Sequence, residues 1–326
     1  MVRRAGPLFV SLTLFRRYKG SSLWLDAPTF SLRDGLYHVV QPDDGAATAL
    51  GATFESVHSS ERDTSPLADA YARRIDAALD GALAAGRHLA ALVMEPVVHG
   101  ANGMEGVDPL FQRLLIRACR RRGIVIILDE IFVGMYRLGP ASAALAYLRE
   151  SPDIATFAKL LSGGSLSIAL TLASADVFDS FLGEAKREAL LHGHSYTANP
   201  VACAAAVSAL DAYPHAELWQ RDGVADLFPE NTVAEISRLE ASVRVVAKGS
   251  LLAVELASEK GPAANAPGYG SGRIPRVERV LARLLEDGVF ARPLGRTIYI
   301  MGTPTTSAAE GARLASALLS AVAKET

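Results

Sequence analysis

Residues 124–140 read IVIILDEIFVGMYRLGP, and this stretch decides the fold. Its five leading apolar residues stop abruptly at Asp129. A continuous apolar run of this length is typical of a strand that is buried on both faces of a parallel sheet. An acid directly after such a strand is not explained by packing, because a buried carboxylate is costly without a cation or donor opposite it. Asp129 is therefore a candidate functional residue.

Segments of strand and helix character alternate on both sides of this stretch, from about residue 64 to residue 210. The predicted strands are 89–97, 124–128, 154–158 and 168–173, and the predicted helices are 62–85, 108–122 and 199–212. Wholly apolar strands that alternate with helices indicate an α/β fold. The pattern predicts a mostly parallel sheet with helices on both faces.

The helix predicted at 108–122 carries the clearest local signals. Asp108 can cap it, Pro109 suits its first position, and Gly123 ends it. Leucine, isoleucine and cysteine positions alternate with five arginines, of which Arg120–Arg122 are predicted to form a solvated face. The helix is therefore expected to be amphipathic.

The pattern changes after about residue 213. Short strands at 243–246, 251–256, 289–292 and 297–301 mix with helices at 273–287 and 306–323, and a surface loop is predicted at 261–272. We therefore expect a large domain over 21–212 and a smaller α+β domain over 213–326. Residues 1–20 are expected to form a separate N-terminal segment.

Composition argues against several classes of function. A net charge of -2 does not suit a polyanion-binding protein, which argues against nucleic acid as a partner. The two cysteines, Cys119 and Cys203, are not at metal-ligand spacing, so a metal site is not expected. Such low cysteine usage suits a reducing compartment. No apolar run is long enough to span a bilayer, so no membrane association is predicted.

Two more chemically capable residues fall near strand ends. Lys159 follows the predicted strand 154–158 and precedes LLSGG, and Glu95 lies near the end of 89–97. Ligands in open α/β sheets lie beyond the carboxyl ends of the strands. A lysine there, in a partly dry pocket, can bond to an aldehyde. Considered singly, Asp129 could also be a helix cap or a member of a buried salt bridge, and Lys159 could be a solvated charge in a loop. Together with the flanking glycines they favour a functional site.

Three motifs occur in the order found in class III aminotransferases, which are pyridoxal-phosphate enzymes of fold type I. These motifs are LDEIFVGMYRLGP (128–140), PDIATFAKLLSGG (152–164) and LHGHSYTANPVACAAA (191–206). Residues 103–124 and 288–301 narrow the resemblance to the aminotransferase half of bifunctional dethiobiotin synthetase/7,8-diaminopelargonic acid aminotransferases. The similarity covers roughly residues 21–320.

The resemblance implies roles for six residues. Lys159 would carry pyridoxal 5'-phosphate and serve as acid and base for the 1,3-proton shift. Asp129 would pair with the ring nitrogen, and Ile131 would pack against one ring face. Ser195 would donate to the cofactor phosphate across a dimer interface. Arg292 would bind the substrate carboxylate, and Glu95 would lie near the substrate.

The resemblance also implies substrates and an assembly. S-adenosylmethionine, or another amino donor such as lysine, would aminate 8-amino-7-oxononanoate in biotin biosynthesis, and the enzyme would be a homodimer with its site at the subunit interface. Alternatives are another class III ω-aminotransferase acting on ornithine or 4-aminobutyrate, and an inactive truncated remnant. A serine hydrolase is disfavoured because no G-x-S-x-G turn occurs.

The sequence departs from the family pattern near its start. The glycine/serine-rich phosphate-binding turn, the Tyr-His-Gly segment that stacks on the cofactor and the dethiobiotin synthetase P-loop are missing. We therefore expect a truncated gene product or partial gene model with weak cofactor affinity. Residues 1–25 are arginine-rich with no acid before Asp26, which suits a mitochondrial presequence. The alternatives are a wrongly chosen start and a cytoplasmic location.

Overall fold

A computed structural model describes residues 22–216, 226–259 and 273–325. The predicted N-terminal segment 1–20 and the predicted loop 261–272 lie outside these ranges. The strands are β1 (Thr29–Arg33), β2 (Leu36–Val40), β3 (Ala47–Gly51), β4 (Ala91–Met94), β5 (Val98–His99), β6 (Glu105–Val107), β7 (Val125–Asp129), β8 (Ile154–Phe157), β9 (Leu170–Ala173), β10 (Ser242–Lys248), β11 (Leu251–Leu256), β12 (Arg292–Leu294) and β13 (Thr297–Met301). The α-helices are α1 (Glu55–His58), α2 (Pro66–Ala84), α3 (Pro109–Arg121), α4 (Ala175–Asp179), α5 (Pro200–Ala212), α6 (Glu230–Ser237), α7 (Pro275–Glu286) and α8 (Ala308–Ala323).

The apolar runs predicted as strands form one sheet in the order β4-β7-β8-β9. β4, β7 and β8 are parallel, whereas β9 runs antiparallel to β8. The predicted α/β class and the parallel arrangement of the central strands are confirmed. The antiparallel direction of β9 is a detail that an apolar run cannot specify, because parallel and antiparallel strands share the same side-chain period.

A second sheet joins the two ends of the described chain. It is antiparallel, in the order β12-β13-β11-β10-β1-β2-β3, and β6 also pairs with β1. The predicted domain boundary at residue 212 stays a prediction, although strands from both sides of that boundary pair in this sheet. Leu32 of β1 lies opposite Val245 of β10, so β1 to β3 share a sheet with the C-terminal strands.

Helices cover both sheets and enclose a continuous apolar core. α2 packs against α3, which packs against β7, while α6 and α8 pack together beside β10. Tyr71 of α2 meets Phe111 of α3 edge to face, with ring centroids 5.4 Å apart. Among the described residues, no helix combines the length and apolar character that crossing a membrane requires.

The segment from residue 163 to residue 201 is far more open than the rest. No residue in it is buried, and all four residues of β9 are exposed on both faces of the strand. On this side α5 contacts the turn at Lys159–Ser162 through the buried Ala202 and Ala206. The exposed apolar side chains of the segment include Leu172, Phe178, Leu182, Leu190 and Leu191. Such a surface is larger than isolated apolar residues produce on a monomer.

Arg120 and Arg121 are exposed on α3, as predicted, whereas Arg122 is half-buried, and several arginines of the helix form ion pairs. Arg113 is fully buried and bonds to Asp63. Arg120 pairs with Glu150 at 2.6 Å, and Arg122 pairs with Asp80 at 2.7 Å. Helical periodicity gives no information about these partner acids, because they lie 30 to 50 residues away in sequence.

The N-terminus of α3 is fixed by a buried carboxylate, as predicted. Asp108 accepts from the backbone N–H of Leu110, from Tyr71 Oη at 3.1 Å, and from both Nη atoms of Arg62 at 2.7 and 2.8 Å. Its side chain is completely buried. One acid therefore caps a helix and ties α2 to α3 at the same time.

Replacing Asp108 by alanine should lower the free energy of unfolding by about 3–5 kcal/mol, because Arg62 is left as an uncompensated, largely buried charge. Urea denaturation followed by circular dichroism measures this change. Glu310→Ala, which removes an exposed pair with Arg313, is the control and should leave the midpoint unchanged. Equal midpoints for Asp108→Ala and the wild type would contradict the assigned role.

Candidate active site

Three parallel strands bring their carboxyl ends to one edge of the sheet, and each delivers a titratable residue there. Met94 of β4 lies opposite Leu128 of β7, so Glu95 is level with Asp129. Asp129 lies opposite Thr156 of β8, three residues before Lys159. The structure therefore brings Glu95, Asp129 and Lys159 together, where strand geometry predicts a ligand site.

Lys159 begins a short 3-10 turn directly after β8. Its backbone has a φ of 50°, which is uncommon for a residue other than glycine. The turn ends at Gly163, also left-handed, with a φ of 63°. Lys159 Nζ lies 5.0 Å from the centroid of the Phe132 ring. This conformation directs the amine across the strand end towards the turn that follows β7.

The surroundings of the amine favour its neutral form. Partial burial lowers the pKa of Lys159, the charge of Glu95 opposes that shift, the Arg137 guanidinium lowers the pKa further, and Asp129 opposes it again. A lysine with a lowered pKa is unprotonated at a lower pH, and only the unprotonated amine bonds to an aldehyde carbon. The lysine is therefore prepared for reaction with an aldehyde.

Asp129 keeps capacity for a positive partner. Its Oδ1 accepts from the backbone N–H of Ile131 at 3.0 Å and from Thr156 Oγ1 at 3.5 Å. Within residues 22–216, 226–259 and 273–325 it makes no salt bridge. A half-buried carboxylate with two neutral donors suits the protonated ring nitrogen of pyridoxal phosphate.

Glu95 sits on a turn that is held by a buried amide. Gln112 of α3 donates to the Glu95 carbonyl and accepts from the backbone N–H of Val97, both at 2.8 Å. Glu95 Oε2 accepts from the backbone N–H of Gly100 at 3.0 Å. Burial raises the pKa of Glu95 to about 7, although the Gly100 hydrogen bond and the nearby Lys159 oppose the shift. Its carboxyl group can therefore exchange a proton near neutral pH.

Sequence inspection missed two residues at this site. Phe132 is buried beside Gly100 and lies under the Lys159 amine. Arg137 is buried, with its Cζ 5.6 Å from the centroid of the same ring. Both lie in the stretch 128–140. Arg137 could have been noticed in the sequence as the one charged residue within 131–138.

The other predicted site residues are not gathered around Lys159. Ile131 donates its backbone N–H to Asp129, and its side chain is half-buried. Ser195 lies in an exposed turn whose shape is fixed by His194 and Thr197. Arg292 is exposed at the start of β12 and, in the described part of the chain, makes no ion pair with a carboxylate. The roles of these residues remain predictions.

Metal ligands are not grouped anywhere in the described ranges. No cluster of three histidine, cysteine, aspartate or glutamate side chains there has a geometry that could hold a metal ion. Cys119 is buried and Cys203 is exposed, and both are free thiols.

The mixed sheet with its covering helices is consistent with the α/β fold of the aminotransferases. The chain belongs to the class III aminotransferases, whose family model matches residues 44–322. The resemblance inferred from the three motifs is thereby confirmed.

Individual relatives are consistent with this placement. The chain is 42% identical over 301 residues to the bifunctional dethiobiotin synthetase/7,8-diamino-pelargonic acid aminotransferase, mitochondrial, of Arabidopsis thaliana, covering 89% of this chain and 35% of that protein. The protein of the same name from Oryza sativa subsp. japonica is 37% identical, with 89% and 36% covered. The chain thus spans little more than a third of these relatives.

A solved structure shares the fold. The adenosylmethionine-8-amino-7-oxononanoate aminotransferase of Methanocaldococcus jannaschii superposes with a TM-score of 0.64 at 25% identity, covering 78% of this chain and 57% of that one. The predicted fold class is confirmed by this similarity.

A pH-dependent loss of stability is predicted from Glu95. Because its pKa is raised in the folded state to about 7, the folded protein binds a proton that the unfolded chain has released. The free energy of unfolding should therefore fall as pH rises from about 4.5 to 7, by about 3 kcal/mol from this group.

Urea titrations between pH 5 and pH 8 measure this effect. Glu95→Gln should remove the dependence, so that wild type and variant diverge as pH rises. Glu240→Gln, at an exposed position, is the control and should track the wild type. Parallel stability curves for Glu95→Gln and wild type would contradict the raised pKa.

Proposed function

We propose that this chain carries out pyridoxal-phosphate-dependent transamination, with Lys159 as the cofactor lysine. The observation that carries the proposal is the meeting of Glu95, Asp129 and Lys159 at the carboxyl ends of three parallel strands. Membership of the class III aminotransferases supports it. Pyridoxal phosphate, when bound, supplies an aldehyde carbon and a ring that withdraws electrons from the substrate.

The residues around the edge would divide the work. Asp129 would hold a proton on the ring nitrogen, and Ile131 would pack against a ring face. Lys159 Nζ would bond to the aldehyde carbon with loss of water. Once the substrate amine replaces it there, the freed Nζ would move a proton between the two carbons that flank the transferred nitrogen. Glu95 would contact the substrate from the turn after β4.

We propose that the substrates are S-adenosylmethionine, or another amino donor, and 8-amino-7-oxononanoate. The names of the plant relatives and of the Methanocaldococcus enzyme support this choice. Arg292, exposed and without a carboxylate partner in the described residues, would bind the substrate carboxylate through its planar fork. We also propose a mitochondrial location, supported by the names of the plant relatives and the arginine-rich first 25 residues.

We further propose a homodimer with the site at the subunit interface. The exposed segment 163–201 supports this proposal, because its apolar side chains and two-faced exposure of β9 suit a surface that is covered in an assembly. Ser195 lies exposed in the same segment and would donate to the cofactor phosphate of the other subunit.

Reduction with borohydride tests the assignment of the cofactor lysine. Purified protein incubated with pyridoxal phosphate should develop visible absorption, and reduction should leave the pyridoxyl mass on the peptide that contains Lys159. Lys159→Ala should abolish both signals, whereas Lys324→Ala, at an exposed lysine, should retain them. Unchanged absorption and labelling in Lys159→Ala would refute the proposal.

The same spectrum identifies the substrate. S-adenosylmethionine should convert the bound cofactor to its amine form and bleach the visible band, and 8-amino-7-oxononanoate should restore it. Bleaching by ornithine or 4-aminobutyrate and none by S-adenosylmethionine would instead indicate the ω-aminotransferase alternative. A wild type that shows neither absorption nor labelling would favour an inactive remnant.

A further inference from the structure

Arg137 is a buried cation that lacks a counter-ion among the described residues. Only 6% of the residue is exposed. Its Nη1 donates to the Gly302 carbonyl at 2.8 Å and to Ser250 Oγ at 3.4 Å, and its buried Nε has no hydrogen-bond partner. Burial lowers the pKa of Arg137 to about 10, so it stays charged at neutral pH. Buried charges are usually paired, and this one is an exception.

Arg137 and Lys159 contact the same aromatic ring. The Arg137 Cζ lies 5.6 Å and the Lys159 Nζ 5.0 Å from the centroid of Phe132. The backbone between Phe132 and Arg137 is a tight turn, in which a Cβ on Gly134 would lie 2.8 Å from both the Glu130 carbonyl and the Phe157 ring. This close packing at Gly134 restricts the backbone that carries both Phe132 and Arg137.

The charges that face Lys159 come from three places. Glu95 and Asp129 are carboxylates that favour the ammonium, and Arg137 is the cation that opposes it. Tyr213 directly follows α5, and its hydroxyl donates to the Leu160 carbonyl at 2.6 Å while its ring packs on Tyr136. Without Arg137, two acids would act on the amine and only burial would oppose them.

The guanidinium is not needed to tie its own loop to the C-terminal sheet. Ser250 already donates to the Arg137 carbonyl from its backbone N–H at 2.9 Å and from its Oγ at 3.2 Å. These bonds use the Arg137 backbone and would survive any substitution of its side chain. The charge of Arg137 therefore needs a separate explanation.

We propose that Arg137 is a positioning residue that favours the uncharged form of the Lys159 amine by placing an unpaired positive charge beside the same Phe132 ring. Like charges in a partly dry site repel more strongly than in water, and the amine relieves the repulsion by releasing its proton. This proposal rests on the proposed function, because the uncharged form of Lys159 is the one that would bond to the cofactor.

Competitive acetylation of the full chain without cofactor tests the proposal. Trace acetic anhydride labels only uncharged amines, and mass spectrometry of the Lys159 peptide gives its pH profile, with exposed Lys324 as the internal reference. Arg137→Gln removes the charge and keeps a donor for the Gly302 carbonyl. It should raise the midpoint of the Lys159 profile by about one pH unit, which is about tenfold slower labelling below the midpoint.

Arg137→Lys is the matched variant, since it keeps the charge but changes the side chain, and it should leave the midpoint near that of the wild type. Arg137→Met serves as a second neutral variant if Arg137→Gln does not fold, and should show the same rise. An equal shift in the glutamine and lysine variants, or no shift with glutamine or methionine, would overturn the proposal. The assay contains no cofactor. Its result therefore does not depend on whether the protein binds pyridoxal phosphate.

Discussion

The structure depends on the parallel pairing of β4, β7 and β8. Parallel strands end at the same edge, and the register fixes which residues meet there. Met94 opposite Leu128 and Asp129 opposite Thr156 place an acid, a second acid and an amine around one space. A slip of one residue would turn Asp129 to the other face of the sheet. The apolar packing of Ile126 and Leu128, which are fully buried, prevents that slip.

The electrostatics of this edge separate the two acids. Glu95 is buried enough for its pKa to rise to about 7, whereas Asp129 is held by the Ile131 N–H and the Thr156 hydroxyl. An acid with a pKa near neutrality, such as Glu95, can exchange a proton with a substrate, whereas the Asp129 carboxylate is oriented by two neutral donors. Different surroundings thus allow two carboxylates to take different roles.

The sequence predicted the parts of the fold that rest on local pattern. The apolar runs at 124–128 and 154–158 form strands with one face buried and the other half-buried, and the cap at Asp108 formed as expected, because each signal lies within a few residues. β1 to β3 were missed, since they are short antiparallel strands whose partners include β10, about two hundred residues later. The charge of Arg113 suggested exposure, but its partner Asp63 buries it.

The candidate site was predictable to a similar degree. Glu95, Asp129 and Lys159 were found because each lies at or just beyond a strand end, whereas Phe132 and Arg137 depend on how one turn folds back over the lysine. Ser195 and Arg292 could be named only from the family resemblance. Their proposed partners are a second subunit and a substrate, which no single-chain pattern contains.

In the proposed function, Asp129 and Lys159 bracket a pyridine ring, and the acid would keep the ring nitrogen protonated. Nuclear magnetic resonance of pyridoxal phosphate labelled with 15N in the ring, bound to the wild type and to Asp129→Ala, measures this directly. The ring 15N should show a pyridinium chemical shift in the wild type and the neutral pyridine value in Asp129→Ala. A neutral pyridine shift in the wild type, with the cofactor bound to Lys159, would contradict it.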